Sequence, residues 1–116
     1  MPDNDSQYEV RRVMVIMAHP DDAEFSCAGT VAKWAREGKE VRYVLCTSGD
    51  KGTSDVSISP ATMAEIRRQE QRAAAGVLGV KDVIFLGYED GVLTSTLQLR
   101  HDLVRQIRAF CPDVVI

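Results

Sequence analysis

His19-Pro20-Asp21-Asp22 concentrates groups able to bind a cation or move a proton within four residues. The stretch follows directly on the apolar run Val13 to Ala18. Adjacent carboxylates at the end of an apolar segment are costly to desolvate, and a bound cation offsets that cost. The chain has only two histidines, His19 and His101. If it turns into a helix just after Pro20, His19 and Asp22 can face one ion. An imidazole nitrogen with a carboxylate oxygen suits Zn²⁺, and less exclusively Fe²⁺ or Mn²⁺. Asp21 then lies beside the ion as a carboxylate able to take a proton from water. The competing reading makes Asp21 or Asp22 a helix cap and His19 a packing residue. Spacing by itself leaves both open.

The surrounding pattern alternates strand and helix. Val13 to Ala18 is a continuous apolar run, as in a strand buried on both faces. From about Ala23 to Glu37 the apolar positions Ala28, Val31, Ala32 and Ala35 recur at helical spacing, with Gly38 as the stop. Val41 to Cys46 reads as a second strand, and Thr47 to Ser59 as a long loop rich in Gly, Ser, Thr and Asp. Ser59 caps a helix that starts at Pro60 and runs to about Leu78, with Ile66, Ala73, Ala74 and Val77 expected inward. Val83 to Leu86 is a third strand, and Gly87 to Leu93 its loop. A last helix spans Leu97 to Phe110 with Leu99, Leu103, Ile107 and Phe110 on one face. Val114 to Ile116 begins a fourth strand. This order predicts an α/β fold, a Rossmann-like three-layer αβα arrangement with a mainly parallel sheet. Residues 1–12 form a polar N-terminal segment and residues 13–116 the domain. Ligands of open parallel sheets bind beyond the carboxyl ends of the strands. The loops His19 to Asp22, Thr47 to Ser59 and Gly87 to Leu93 gather there.

Composition narrows the function classes. The 116 residues carry a net charge of −3 and 45% apolar residues, which fits one globular domain. No basic patch favours nucleic acid. No apolar run approaches membrane-spanning length and no signal-like segment opens the chain, so no membrane partner is expected and the cytoplasm is the expected location. Cys27, Cys46 and Cys111 form no CxxC pair and read as reduced thiols in or near the core.

Ala18-His19-Pro20-Asp21-Asp22, followed by Glu24 and Gly29-Thr30, resembles the signature of the LmbE-like/PIG-L family of metal-dependent N-deacetylases. The resemblance continues in Thr47-Ser48-Gly49-Asp50-Lys51-Gly52, in Arg67-Arg68-Gln69-Glu70 with Ala73-Ala74, and in Gly87-Tyr88-Glu89-Asp90-Gly91. It covers almost all of the chain after the first dozen residues. It implies a Rossmann-like fold and zinc-dependent hydrolysis of an acetamide on an N-acetylglucosamine-type sugar, so the expected partner is an N-acetylated sugar conjugate. His19 and Asp22 match two zinc ligands, and Asp21 matches the general base. Asp50 is expected to hydrogen-bond a sugar hydroxyl or support a ligand histidine, and Arg67 to contact the polar tail of the substrate. Arg67 and Glu70 also suit a solvated helical pair. Asp90 reads first as a turn residue.

Two departures stand out. Some family members place Glu directly after the second Asp, whereas Ala23 intervenes here. The family also completes its zinc site with a histidine from a loop just after the fourth strand, the strand in which Ile116 lies. His101 is expected on a solvated helix face, and Asp113 at the opposite end of the sheet. The resemblance therefore implies the N-terminal portion of a longer deacetylase, a sheet truncated after the fourth strand, and a third ligand beyond Ile116. It further implies weak zinc affinity and weak catalysis by the chain alone, and self-association or homo-oligomer formation through its exposed strand edge. The alternative is a non-catalytic Rossmann-like binding or assembly module. No GxGxxG or GxxxxGK[ST] supports a nucleotide site.

Overall fold

The computed structural model describes residues 9–49 and 57–116. Four strands and three helices alternate along them: β1 Arg12–Met17, α1 Asp22–Arg36, β2 Glu40–Thr47, α2 Pro60–Leu78, β3 Asp82–Tyr88, α3 Leu97–Phe110 and β4 Val114–Val115. The sheet order is β3-β2-β1-β4, and each neighbouring pair is parallel. This is the three-layer α/β arrangement expected from the pattern.

β1 is central because its residues are apolar on both sides. Val13 and Val15 pack with Ala23, Val31, Tyr43 and Ala75 on the side of α1 and α2. Met14 packs with Val44 and Phe110, and with Leu103 and Ile107 of α3, on the other side. Alternation along a strand thus serves two cores at once, which is why Val13 to Met17 of β1 reads as an unbroken apolar run.

Local chemistry sets the helix ends. Ser59 Oγ accepts the Thr62 N–H at 3.1 Å, with Pro60 in the first turn of α2. Thr96 Oγ1 accepts the Leu99 N–H at 3.1 Å at the start of α3. Asp22 and Glu24 in the first turn of α1, with Lys33 and Arg36 in its last, complement the helix dipole. At the amino end of the sheet, Asp113 Oδ2 accepts the backbone N–H groups of Arg12 at 2.9 Å and Arg11 at 2.8 Å. Those two bonds hold its carboxyl below the ordinary carboxylate range. Asp113 therefore lies far from the carboxyl rim, as expected.

Two expectations need correction. The inward face of α2 carries Met63, Ala64, Gln71 and Ala75, while Val77 is 88% exposed and Ala73 is exposed. Positions 73 and 77 lie two residues either side of Ala75, on the opposite side of the helix. Gln71 takes an interior place because its amide finds two partners there. Cys111 is exposed, unlike buried Cys46 and half-buried Cys27, because it caps α3 in the left-handed region with φ 53°. Val115 and Ile116 at the β4 edge are exposed.

Candidate active site

The site forms where β1 ends. The Ala18 carbonyl accepts both the Thr47 N–H and Thr47 Oγ1, each at 2.9 Å, so β1 and β2 finish side by side. The chain then folds back on itself. Asp22 Oδ2 accepts the His19 N–H at 3.0 Å, and the Asp22 N–H reaches the His19 carbonyl at 3.4 Å. Between them Asp21 adopts φ 74°, ψ −17°, the left-handed region that a residue with a Cβ occupies at a cost of about 1–2 kcal/mol. Its carbonyl accepts the Phe25 N–H at 3.1 Å and starts α1, but its side chain makes no capping bond. Of the capping alternatives, Asp21 holds the N-cap position through its backbone alone, and Asp22 is already inside the first turn.

His19 is held from both sides of its ring. Nδ1 lies 3.5 Å from Asp22 Oδ2, and Nε2 lies 3.0 Å from Asp90 Oδ1. An imidazole nitrogen and a carboxylate oxygen bound to one tetrahedral Zn²⁺ at about 2.0–2.2 Å are themselves about 3.4 Å apart. The Nδ1–Oδ2 spacing therefore fits a shared cation. Asp90 then occupies the place of the carboxylate that orients the other nitrogen of a ligating histidine. It sits in the Asp90-Gly91 turn, as expected, and is also a partner of His19, which the sequence did not indicate. Its side chain is only 14% exposed.

His19, Pro20, Asp21, Gly49, Arg67 and Asp90 line an open cleft of about 280 Å³. Gly49 has φ 67°, and a Cβ there would lie 3.3 Å from Arg67 Cγ and 3.5 Å from Pro20 Cδ. Glycine thus lets the end of β2 pass close under the cleft. Arg67 Nη1 pairs with Glu70 Oε2 at 3.0 Å, as the helical-pair reading expects, while its stem borders the cleft. Asp50 lies outside the described residues. His101 is exposed on α3, away from this cleft. Among the described residues no group of three or more His, Cys, Asp or Glu side chains is arranged to hold a metal.

Beneath the cleft sits a buried pair that sequence reasoning missed. Gln71 Oε1 accepts the Asp21 N–H at 2.8 Å, and Gln71 Nε2 donates to Glu24 Oε1 at 2.6 Å. Glu24 Oε2 and the Tyr43 hydroxyl are both buried without a hydrogen-bond partner among the described residues. Burial, with the Glu24 charge adding to it, pushes the Tyr43 phenol well above its ordinary range.

Fold and site together define a Rossmann-like α/β domain with a cleft lined by His19, Asp21, Arg67 and Asp90 at the carboxyl rim of its sheet. The PIG-L family model, described as GlcNAc-PI de-N-acetylase, matches residues 14–116. The chain belongs to this family of LmbE-like/PIG-L deacetylases. It is 34% identical over 113 residues to the diacetylchitobiose deacetylase of Thermococcus kodakarensis, covering 97% of this chain and 42% of that protein. The N,N'-diacetylchitobiose deacetylase structure from Pyrococcus horikoshii superposes with a TM-score of 0.90 at 39% identity, over 92% of this chain and 40% of that one. GalB, the 4-carboxy-2-hydroxymuconate hydratase of Pseudomonas putida KT2440, superposes with a TM-score of 0.82 at 25% identity, over 90% of this chain and 45% of that one. The chain thus spans less than half the length of these relatives. No helix among the described residues is long and apolar enough to cross a membrane.

Proposed function

We propose that this chain contributes the metal-and-base half of a zinc-dependent hydrolase that removes the acetyl group from an N-acetylglucosamine-type substrate. The observation that carries the reading is the 3.5 Å spacing of His19 Nδ1 and Asp22 Oδ2, with His19 and Asp21 lining one cleft. His19 and Asp22 would hold the cation. When bound, it supplies Lewis acidity toward an acetamide carbonyl and toward water. Asp21 accepts a proton from the attacking water and returns it to the departing amine, so water adds across the C–N bond and acetate leaves. Asp90 keeps the His19 ring turned so that Nδ1 faces Asp22. Arg67, at the cleft wall, is placed to meet polar groups of a sugar, and Asp50 is assigned to the same wall on the family motif alone. A catalytic zinc site normally takes three protein ligands. The third is therefore to be sought outside the described residues, in keeping with a chain that covers 42% of its Thermococcus relative.

The 34% and 39% identical relatives are both named as diacetylchitobiose deacetylases, which supports a chitobiose-like acetamide as the first substrate to try. The neighbour named as a hydratase shares the same backbone, so water chemistry on a non-amide substrate is the reading to beat. The test is acetate release from N,N'-diacetylchitobiose by the zinc-loaded protein, with this chain alone and with its coding sequence extended past Ile116 in parallel. Acetate release that disappears in Asp21→Asn supports the proposal. Failure of every form to release acetate from any acetamido sugar overturns it. Self-association rests on the exposed β4 edge, and light scattering that reports a particle of only 12.8 kDa contradicts it.

A further inference from the structure

We propose that Gln71 is a positioning residue that holds the backbone of Asp21 in its left-handed conformation and thereby aims the Asp21 carboxylate. The inference rests on Asp21 acting as the base, and names what keeps that base in place. Gln71 is 0% exposed, lies on α2, and does not line the cleft. A buried amide on a helix face must find partners for its oxygen and its nitrogen. Here both partners belong to the turn that carries the site, the Asp21 N–H at 2.8 Å and Glu24 Oε1 at 2.6 Å. The two bonds also fix which way the amide faces. Its oxygen must meet a donor and its nitrogen an acceptor, and only one orientation does both.

The strained residue is the one that is tied. Asp21 holds φ 74° with no capping bond from its own side chain. Without Gln71, its N–H loses this buried acceptor, and the backbone is free to relax toward negative φ. That relaxation swings the Cα–Cβ bond, and with it the carboxylate, away from the cleft. His19 and Asp22 are not touched by Gln71, so the cation ligands stay where they are. Strain held at a functional residue by a surrounding hydrogen bond is the expected pattern for a pre-organised group.

The experiment uses the zinc-loaded, active protein. Gln71→Leu is expected to lower kcat by about tenfold to a hundredfold, the scale of a small misplacement of a reacting group, with KM and zinc content unchanged. In an Asp21→Asn background the same substitution is expected to change kcat no further, because its effect runs through Asp21. Gln71→Met, which fills the space with a flexible chain, carries the same test if Gln71→Leu does not fold. Amide exchange in the metal-free protein supplies a readout independent of activity. The Asp21 N–H is expected to exchange at least about tenfold faster in Gln71→Leu, while Val31 in the interior of α1 stays protected. An equal kcat loss in both backgrounds, or unchanged exchange at Asp21, overturns the proposal. If Asp21→Asn alone keeps full activity, the base reading fails instead, and exchange at Asp21 still reports on the tie.

Discussion

Asp90 Oδ1 lies 3.0 Å from His19 Nε2, so the loop after β3 reaches across the sheet end to grip the ring that follows β1. A carboxylate in that place orients a ligating imidazole and fixes which nitrogen carries the proton. Asp90→Ala should weaken zinc affinity by about 10–100-fold, with Asp90→Asn between it and the parent. Competition against a chromophoric chelator measures this. Unchanged affinity would mean that something else orients His19.

Substitutions in the turn should separate binding from turnover. His19→Ala and Asp22→Ala each remove a donor from the 3.5 Å pair and should release zinc. Asp21→Asn should keep zinc and lose about 10²–10⁴-fold in kcat. Metal analysis of the purified variants beside their rates decides between these outcomes. Zinc loss in Asp21→Asn would make Asp21 a ligand rather than the base.

The Tyr88 hydroxyl donates to Asp102 Oδ2 and joins the end of β3 to α3, just before the loop that carries Asp90. That bond pushes the Tyr88 phenol up to about 12 and, with Gln98 assisting, holds the Asp102 carboxyl below its ordinary 3.8. The depressed Asp102 contributes stability that is present above its unfolded value and lost as pH falls through its folded value. The raised Tyr88 contributes stability that is full below 10.0 and lost as pH rises toward 12. Tyr88→Phe should therefore lower Tm by a constant amount between about pH 5 and 9, with the difference shrinking in acid. Thermal melts across pH measure it, and a difference that grows in acid would refute the linkage.

Gly79 ends α2 with φ 91°, and a Cβ there would come within 2.9 Å of Ala35 Cβ on α1. Gly79→Ala meets both backbone strain and a contact between two helices. It should destabilise by about 1–3 kcal/mol without altering metal affinity. Urea unfolding and zinc titration of the same sample test the two halves of this statement.

Much of the fold was legible in the chain. Ser59-Pro60 and Gly79 mark the ends of α2, and Thr96 and Phe110 bound α3, because caps and stops act through bonds to near neighbours. The inward face of α2 was not legible. Apolar count favoured Val77 and Ala73, while the tertiary contact selected Gln71, whose partners lie 50 and 47 residues away. No local periodicity carries that information.

The candidate site divides in the same way. His19-Pro20-Asp21-Asp22 determined by itself the donor types, their order and the chemistry they suit, since coordination and proton transfer depend on groups a few bonds apart. The fold alone decided that Asp90 would be the partner of His19, that Gly49 would let Arg67 and Pro20 close the cleft wall, and that a buried glutamine would hold Asp21 with φ above zero. Those relationships join residues on separate strands and helices, and only the parallel packing of β1, β2 and β3 brings their ends to one rim.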